Sequence, residues 1–135
     1  MKELTIEAKT ENLDDVIAFV NSELKKLGCG VKQQMQIEIS VEEIFVNIAH
    51  YAYTPEIGNA TIRVDTEENG VIVLTFIDTG VPYNPLAKAD PDITLSAEER
   101  QIGGLGIFMV KKNMDDVIYE YKDGQNVLTL RKKLG

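Results

Sequence analysis

Residues Val71-Ile-Val-Leu-Thr-Phe-Ile77 are apolar on both faces apart from Thr75, and Asp78 follows at once. A half-buried strand would alternate, so an unbroken run of this length predicts a central strand with a carboxylate at its end. The flanking sequence supplies neighbours for it. Residues 60–66 read as a second strand, joined to the first by Glu67-Glu-Asn-Gly70, a hairpin signal. Residues 117–122 and 126–132 read as another hairpin, turning at Asp123-Gly124. Residues 3–9 alternate Leu4, Ile6 and Ala8 against polar neighbours, as a half-buried strand does.

Three helices complete the pattern. Leu13, Val16, Ile17, Val20, Leu24 and Leu27 recur at helical spacing behind Asn12, an expected N-cap, and Lys25, Lys26 and Gly28 close the element. A second helix over roughly 32–52 carries the core stripe Ile37, Val41, Ile44, Phe45, Ile48 and Ala52, and stops before Thr54-Pro55. A third starts at Gly104 or Leu105, with Ile107, Val110 and Met114 on one face. The order βα-α-ββ-loop-α-ββ predicts an α+β fold. Its expected form is a two-layer sandwich: a mostly antiparallel, mixed sheet of about five strands with three helices on one face.

With 135 residues, 44% of them hydrophobic, the chain suits one globular domain, 1–135. No apolar run approaches the ~18 residues of a membrane span, and no signal-peptide pattern opens the chain. A lone Cys29 cannot form an internal disulfide, which makes a cytoplasmic setting the expectation. A net charge of −8 argues against a nucleic-acid surface.

Chemistry is suggested in three places. Gln36, Ser40, Glu43, Asn47 and His50 follow one another at +4, +3, +4 and +3, so they share a face of the second helix. That stripe reads either as a solvated face or as a site, in which an amide one turn from a carboxylate can coordinate a hard cation such as Mg²⁺. Asp78-Thr-Gly80 reads either as a turn or as a carboxylate positioned to accept from an amino group. In the second case Gly80 lets backbone approach closely. Gly103-Gly104-Leu105-Gly106 opens the third helix, where free N–H groups make a ready anion site. It is no Walker A loop, since no Gly-Lys-Ser/Thr follows. Arg100, just ahead, is either an exposed arginine among glutamates or a donor to a terminal phosphate. The connection 79–102 holds Pro82, Pro85 and Pro91 and is long for a compact domain.

Taken together, these motifs resemble the ATPase domains of the gyrase, Hsp90, histidine-kinase and MutL superfamily, and most of all its small anti-sigma factor serine kinases. Glu43-x-x-x-Asn47 is similar to the N box, Asp78-Thr-Gly-Val-Pro-Tyr-Asn-Pro85 to the first glycine box, and Ile102-Gly-Gly-Leu-Gly-Ile-Phe-Met-Val110 to the second. The resemblance covers nearly the whole chain and implies the Bergerat ATP-binding fold. It implies ATP and Mg²⁺ as cofactors, with Asn47 on Mg²⁺, Asp78 and Gly80 at adenine, and Gly103, Gly104 and Gly106 along the phosphates. Arg100 and a lid over 86–102 would close on them, and Glu43 would be the catalytic base. Two positions depart from the family: Tyr51 stands where its histidine usually sits, and Gly124-Gln-Asn126 replaces Gly-Thr-Thr, so that Asn126 could substitute as a polar contact.

The implied activity is phosphorylation of a serine on an anti-anti-sigma (STAS) partner, together with sequestration of a sigma factor. No nucleic acid or membrane partner is implied, and a homodimer is left open. Two alternatives stand beside it: a nucleotide-sensing partner-switch module without catalysis, and a histidine-kinase catalytic domain. The latter needs a presented phosphoacceptor, whereas the only histidine, His50, lies in the N-box helix.

Overall fold

The computed structural model describes residues 1–53, 56–68, 70–87 and 104–134. Strands β1 (Lys2–Glu7), β2 (Asn59–Glu67), β3 (Val71–Asp78), β4 (Asp116–Lys122) and β5 (Gln125–Lys133) form one sheet in the order β1-β2-β3-β5-β4. Helices α1 (Leu13–Lys26), α2 (Val31–Asn47) and α3 (Gly104–Asn113) cover one face. This is the expected two-layer α+β sandwich. Its described pairings are all antiparallel. Strands β1 and β3, and likewise β3 and β4, run the same way, but β2 and β5 return between them, so no parallel pair forms.

Strand β3 is central, paired with β2 on one side and β5 on the other. Ile72, Leu74 and Phe76 enter the core at no more than 1% exposure, while Val73 and Thr75, on the opposite face, are half-buried. Helix α2 lies against this centre. All six residues of its expected stripe are buried, Phe45 completely. Side chains of that size each stabilise the fold by about 1.5–3 kcal/mol on burial. In α1 the buried residues are Val16, Val20 and Leu24. Leu27 is 42% exposed because the helix has already ended at Lys26.

Two local expectations are corrected. Asn12 occupies the N-cap position of α1 but makes no side-chain cap; its Nδ2 donates to the Glu7 carbonyl at 3.0 Å. A short 3₁₀ turn, Thr10–Asn12, precedes α1, so the Asn12 backbone (φ −92°, ψ 1°) has left the extended region that such caps use. The second helix also does not continue as an α-helix to residue 52. After Asn47 it widens into a π-helical turn, Ile48–Ala52. Such turns cluster at functional sites, and this one redirects every side chain beyond Asn47. At the far end of α3, buried Lys132 donates from Nζ to the Asn113 carbonyl at 2.6 Å, closing the helix onto β5.

Candidate functional site

A cleft open to solvent lies between the end of β3 and the C-terminal half of α2. Its polar lining includes Asp78, Asn126, Asn47, Tyr51, Tyr83 and Tyr119. Asp78 is only 6% exposed. Its Oδ1 accepts from the Gly80 N–H and from Asn126 Nδ2, both at 2.9 Å. The second bond follows from sheet register, because β3 and β5 place Asp78 opposite Asn126. Asn126 Nδ2 also donates to the Val81 carbonyl at 2.9 Å, and its Oδ1 accepts from the Tyr83 N–H at 3.1 Å and from the Tyr119 hydroxyl. Burial pushes the Tyr119 phenol above its ordinary pKa. The neighbouring charges of Asp78 and Tyr121 add to this, and its hydrogen bonding at Tyr83 opposes it, so the group stays a donor.

The turn after β3 is strapped to the π-helical turn. The Val81 N–H donates to the Ala52 carbonyl at 2.9 Å. A Cβ on Gly80 would lie 2.2 Å from that same carbonyl oxygen, so the strap itself requires glycine here. Tyr53 braces the turn from the other side: its hydroxyl donates to the Asn59 carbonyl at 2.6 Å and accepts from the Thr79 N–H at 2.8 Å. Gly58 leaves room for the Tyr53 ring. Tyr51 and Tyr83, both exposed, stand at the mouth with ring centroids 6.2 Å apart.

The other end of the site is formed by α2 and the first turn of α3. Glu43 and Asn47 are half-buried and one helical turn apart, and the Asn47 side chain bears on the Glu43 carboxyl. Burial raises the Glu43 carboxyl above the usual carboxylate range, and the Glu42 charge adds to the rise, against the Asn47 side chain, which lowers it. The carboxylate packs directly on Gly106: a Cβ there would sit 1.9 Å from Glu43 Oε1. The N–H groups of the first turn of α3 have no partners within the helix, and its positive end favours an anion.

Asn47 and Asp78 thus meet in one cleft, Gly80 buttresses it, and Glu43 adjoins it through Asn47, with Gly106 packed on the Glu43 carboxylate; Gly104 is the first residue of α3. Arg100 and Gly103 lie outside the described residues, as does the expected lid except for Leu86 and Ala87. The expected polar stripe of the second helix divides. Ser40 is fully buried, with its hydroxyl on the Gln36 carbonyl at 3.0 Å, whereas His50 is exposed within the π-helical turn. Tyr53, Tyr83 and Tyr119 join the site although no motif marks them as ligands or catalytic groups. The β4–β5 hairpin, turning at Asp123-Gly124, sets Tyr121 level with Asn126 and was the signal that could have pointed to this end of β5; the β3–β5 pairing that adds Asp78 joins strands far apart in the chain.

The two-layer sandwich that carries this cleft has a Bergerat-like ATP-binding fold. Residues 6–132 match the histidine kinase-like ATPase domain family, and the chain belongs to it. It is similar to the serine-protein kinases RsbW of Bacillus mycoides (strain KBAB4), Bacillus cereus (strain AH820) and Bacillus anthracis. Each is 26% identical over 130 residues, covering 93% of this chain and 81% of the relative. Among the described residues no helix is long and apolar enough to cross a membrane.

Proposed function

We propose that this protein is an ATP-dependent protein serine kinase of the anti-sigma factor type, acting on a serine of an anti-anti-sigma (STAS) partner and sequestering a sigma factor. The observation that carries the reading is Glu43. A half-buried carboxylate with a raised pKa lies one turn from an amide and against the first turn of a helix. That is a costly arrangement for a residue with no chemical task.

The residues present fit Mg²⁺ and a nucleotide. Asp78 keeps both of its described hydrogen bonds on Oδ1, which leaves Oδ2 to accept from an adenine amino group. Mg²⁺ takes few protein ligands and completes its shell with phosphates and water, a demand the Asn47 amide meets. The first turn of α3 offers its N–H groups to phosphate oxygens. In this reading Arg100, Gly103 and the lid over 86–102 are carried by the resemblance alone. Bound MgATP would supply the phosphoryl group. Glu43 accepts the proton of the attacking serine hydroxyl, and its raised pKa makes it a stronger base than an ordinary carboxylate.

Incubation with γ-labelled ATP and a cognate STAS-domain protein tests this. Label is expected on one serine of the partner, and none when that serine is replaced. Partner binding without label would leave a nucleotide-sensing module instead.

A further inference from the structure

The hydrogen-bonding capacity of Asn126 is fully used inside the protein. A side-chain amide offers two N–H donors and two acceptor sites. Here the donors go to Asp78 Oδ1 and the Val81 carbonyl, and the acceptor sites take the Tyr83 N–H and the Tyr119 hydroxyl. The orientation of the amide is not arbitrary, since a backbone carbonyl can only accept and a backbone N–H can only donate. The side chain is 6% exposed. Nothing remains on it for a ligand.

We propose that Asn126 is a positioning residue for base recognition: it locks Asp78, the Val81–Tyr83 turn and Tyr119 into one frame, and the base is read by Asp78 Oδ2. This rests on the reading of the cleft as a nucleotide site. The chemistry follows from what the frame leaves open. Asp78 presents an acceptor, so the floor selects a base with an exocyclic amino group where adenine has one. A base with a carbonyl oxygen there, such as hypoxanthine, meets a carboxylate lone pair and is rejected.

The test is nucleotide affinity in Asn126→Asp, Asn126→Ala and Asp78→Asn, measured against pH and corrected for the folded fraction. Asn126→Asp keeps the shape but sets two carboxylates against each other. Like charges raise one pKa of such a pair, and only the protonated form can donate across it. Affinity for ATP and ADP is expected to fall alike, by roughly tenfold or more at pH 8, and to recover toward pH 5. Wild type measured over the same range is the reference for that recovery. A defect in folding alone would not produce that recovery in affinity per folded molecule. Asn126→Ala and Asp78→Asn should be non-additive, since both act through the same carboxylate. Wild-type binding of ATP with unchanged affinity in Asn126→Ala would overturn the proposal, as would fully additive losses, which would make Asn126 a direct contact. Failure of the wild type itself to bind ATP would overturn the nucleotide reading and this proposal with it.

Discussion

At the β3 end of the cleft, Asp78, Asn126 and Tyr119 hold one another through hydrogen bonds set by strand register. At the α3 end, Glu43 is held by packing against a glycine, with Asn47 one helical turn away. The first arrangement is part of the architecture, because the β3–β5 ladder that makes the sheet also sets Asp78 against Asn126. The second works against stability, because it buries a carboxyl beside a like charge. On the proposed reading, in which the β3 end binds the base and Glu43 carries the chemistry, altering either end should separate affinity from turnover.

The largest effect is expected for Glu43→Gln. Removing the base should lower phosphoryl transfer by roughly 10²–10⁴-fold with little change in ATP affinity. The same substitution should stabilise the protein. A carboxyl raised in the folded state holds its proton longer there than in the unfolded chain. Its contribution is therefore present at acid pH and lost as pH climbs from the ordinary carboxylate value through the raised one. Thermal unfolding above that window should show Glu43→Gln with the higher Tm. Transfer by the wild type should fall as pH drops through the same raised value, since the base must be ionised. A Glu43→Gln variant that is both inactive and less stable would break the contrast.

Next comes Gly106→Ala, whose methyl group would overlap the Glu43 carboxylate. Displacing a reacting group by about an ångström can cost on the order of 10²-fold in turnover, and a loss of that order is expected here with ATP affinity less affected. Shortening the acid in the double variant Glu43→Asp/Gly106→Ala should restore part of the rate. Loss of ATP affinity with no loss of turnover would instead make Gly106 a phosphate contact first.

The binding end is sharpened by a pair of variants. Asp78→Asn retains an oxygen for Gly80 and Asn126 but loses the charge, so ATP and ADP should both weaken, by about tenfold to a hundredfold for a charged hydrogen bond. Asn47→Ala should weaken ATP more in Mg²⁺ than in chelator. Calorimetric titration separates the two patterns, and equal, metal-independent losses would mean the roles are misassigned. The smallest effect is expected for Tyr53→Phe, which leaves the Thr79 N–H and Asn59 carbonyl without their shared partner and should cost about 1 kcal/mol in denaturant unfolding.

Much of the fold was legible in sequence because its signals were periodic: the unbroken 71–77 run marked the centre of the sheet, and the 37–52 stripe marked the helix that lies on it. The clustering of Asn47 and Asp78 was legible only through motif resemblance, as spacing along one chain does not say which elements meet. The π-helical turn after Asn47 left no periodic trace, since apolar residues continue through it and only their direction changes. The saturation of Asn126 was equally hidden. It depends on the β3–β5 and β4–β5 registers and on a turn whose backbone supplies two of the partners. Gly80 and Gly106 stood out in sequence as places for close approach, but the neighbours they admit, Ala52 and Glu43, belong to α2 and its continuation and became visible only with the elements assembled.

Binding of Mg-nucleotide in this cleft, as proposed, is tested most directly by the thermal unfolding of the wild type with ATP, with and without Mg²⁺. A ligand that binds only the native state raises stability by about 2.7 kcal/mol at a hundred times its Kd. The expected result is a rise in Tm that grows with nucleotide concentration, is larger with Mg²⁺, and is much reduced in Asp78→Asn. An unmoved Tm at millimolar MgATP, in protein shown to be folded, would contradict it.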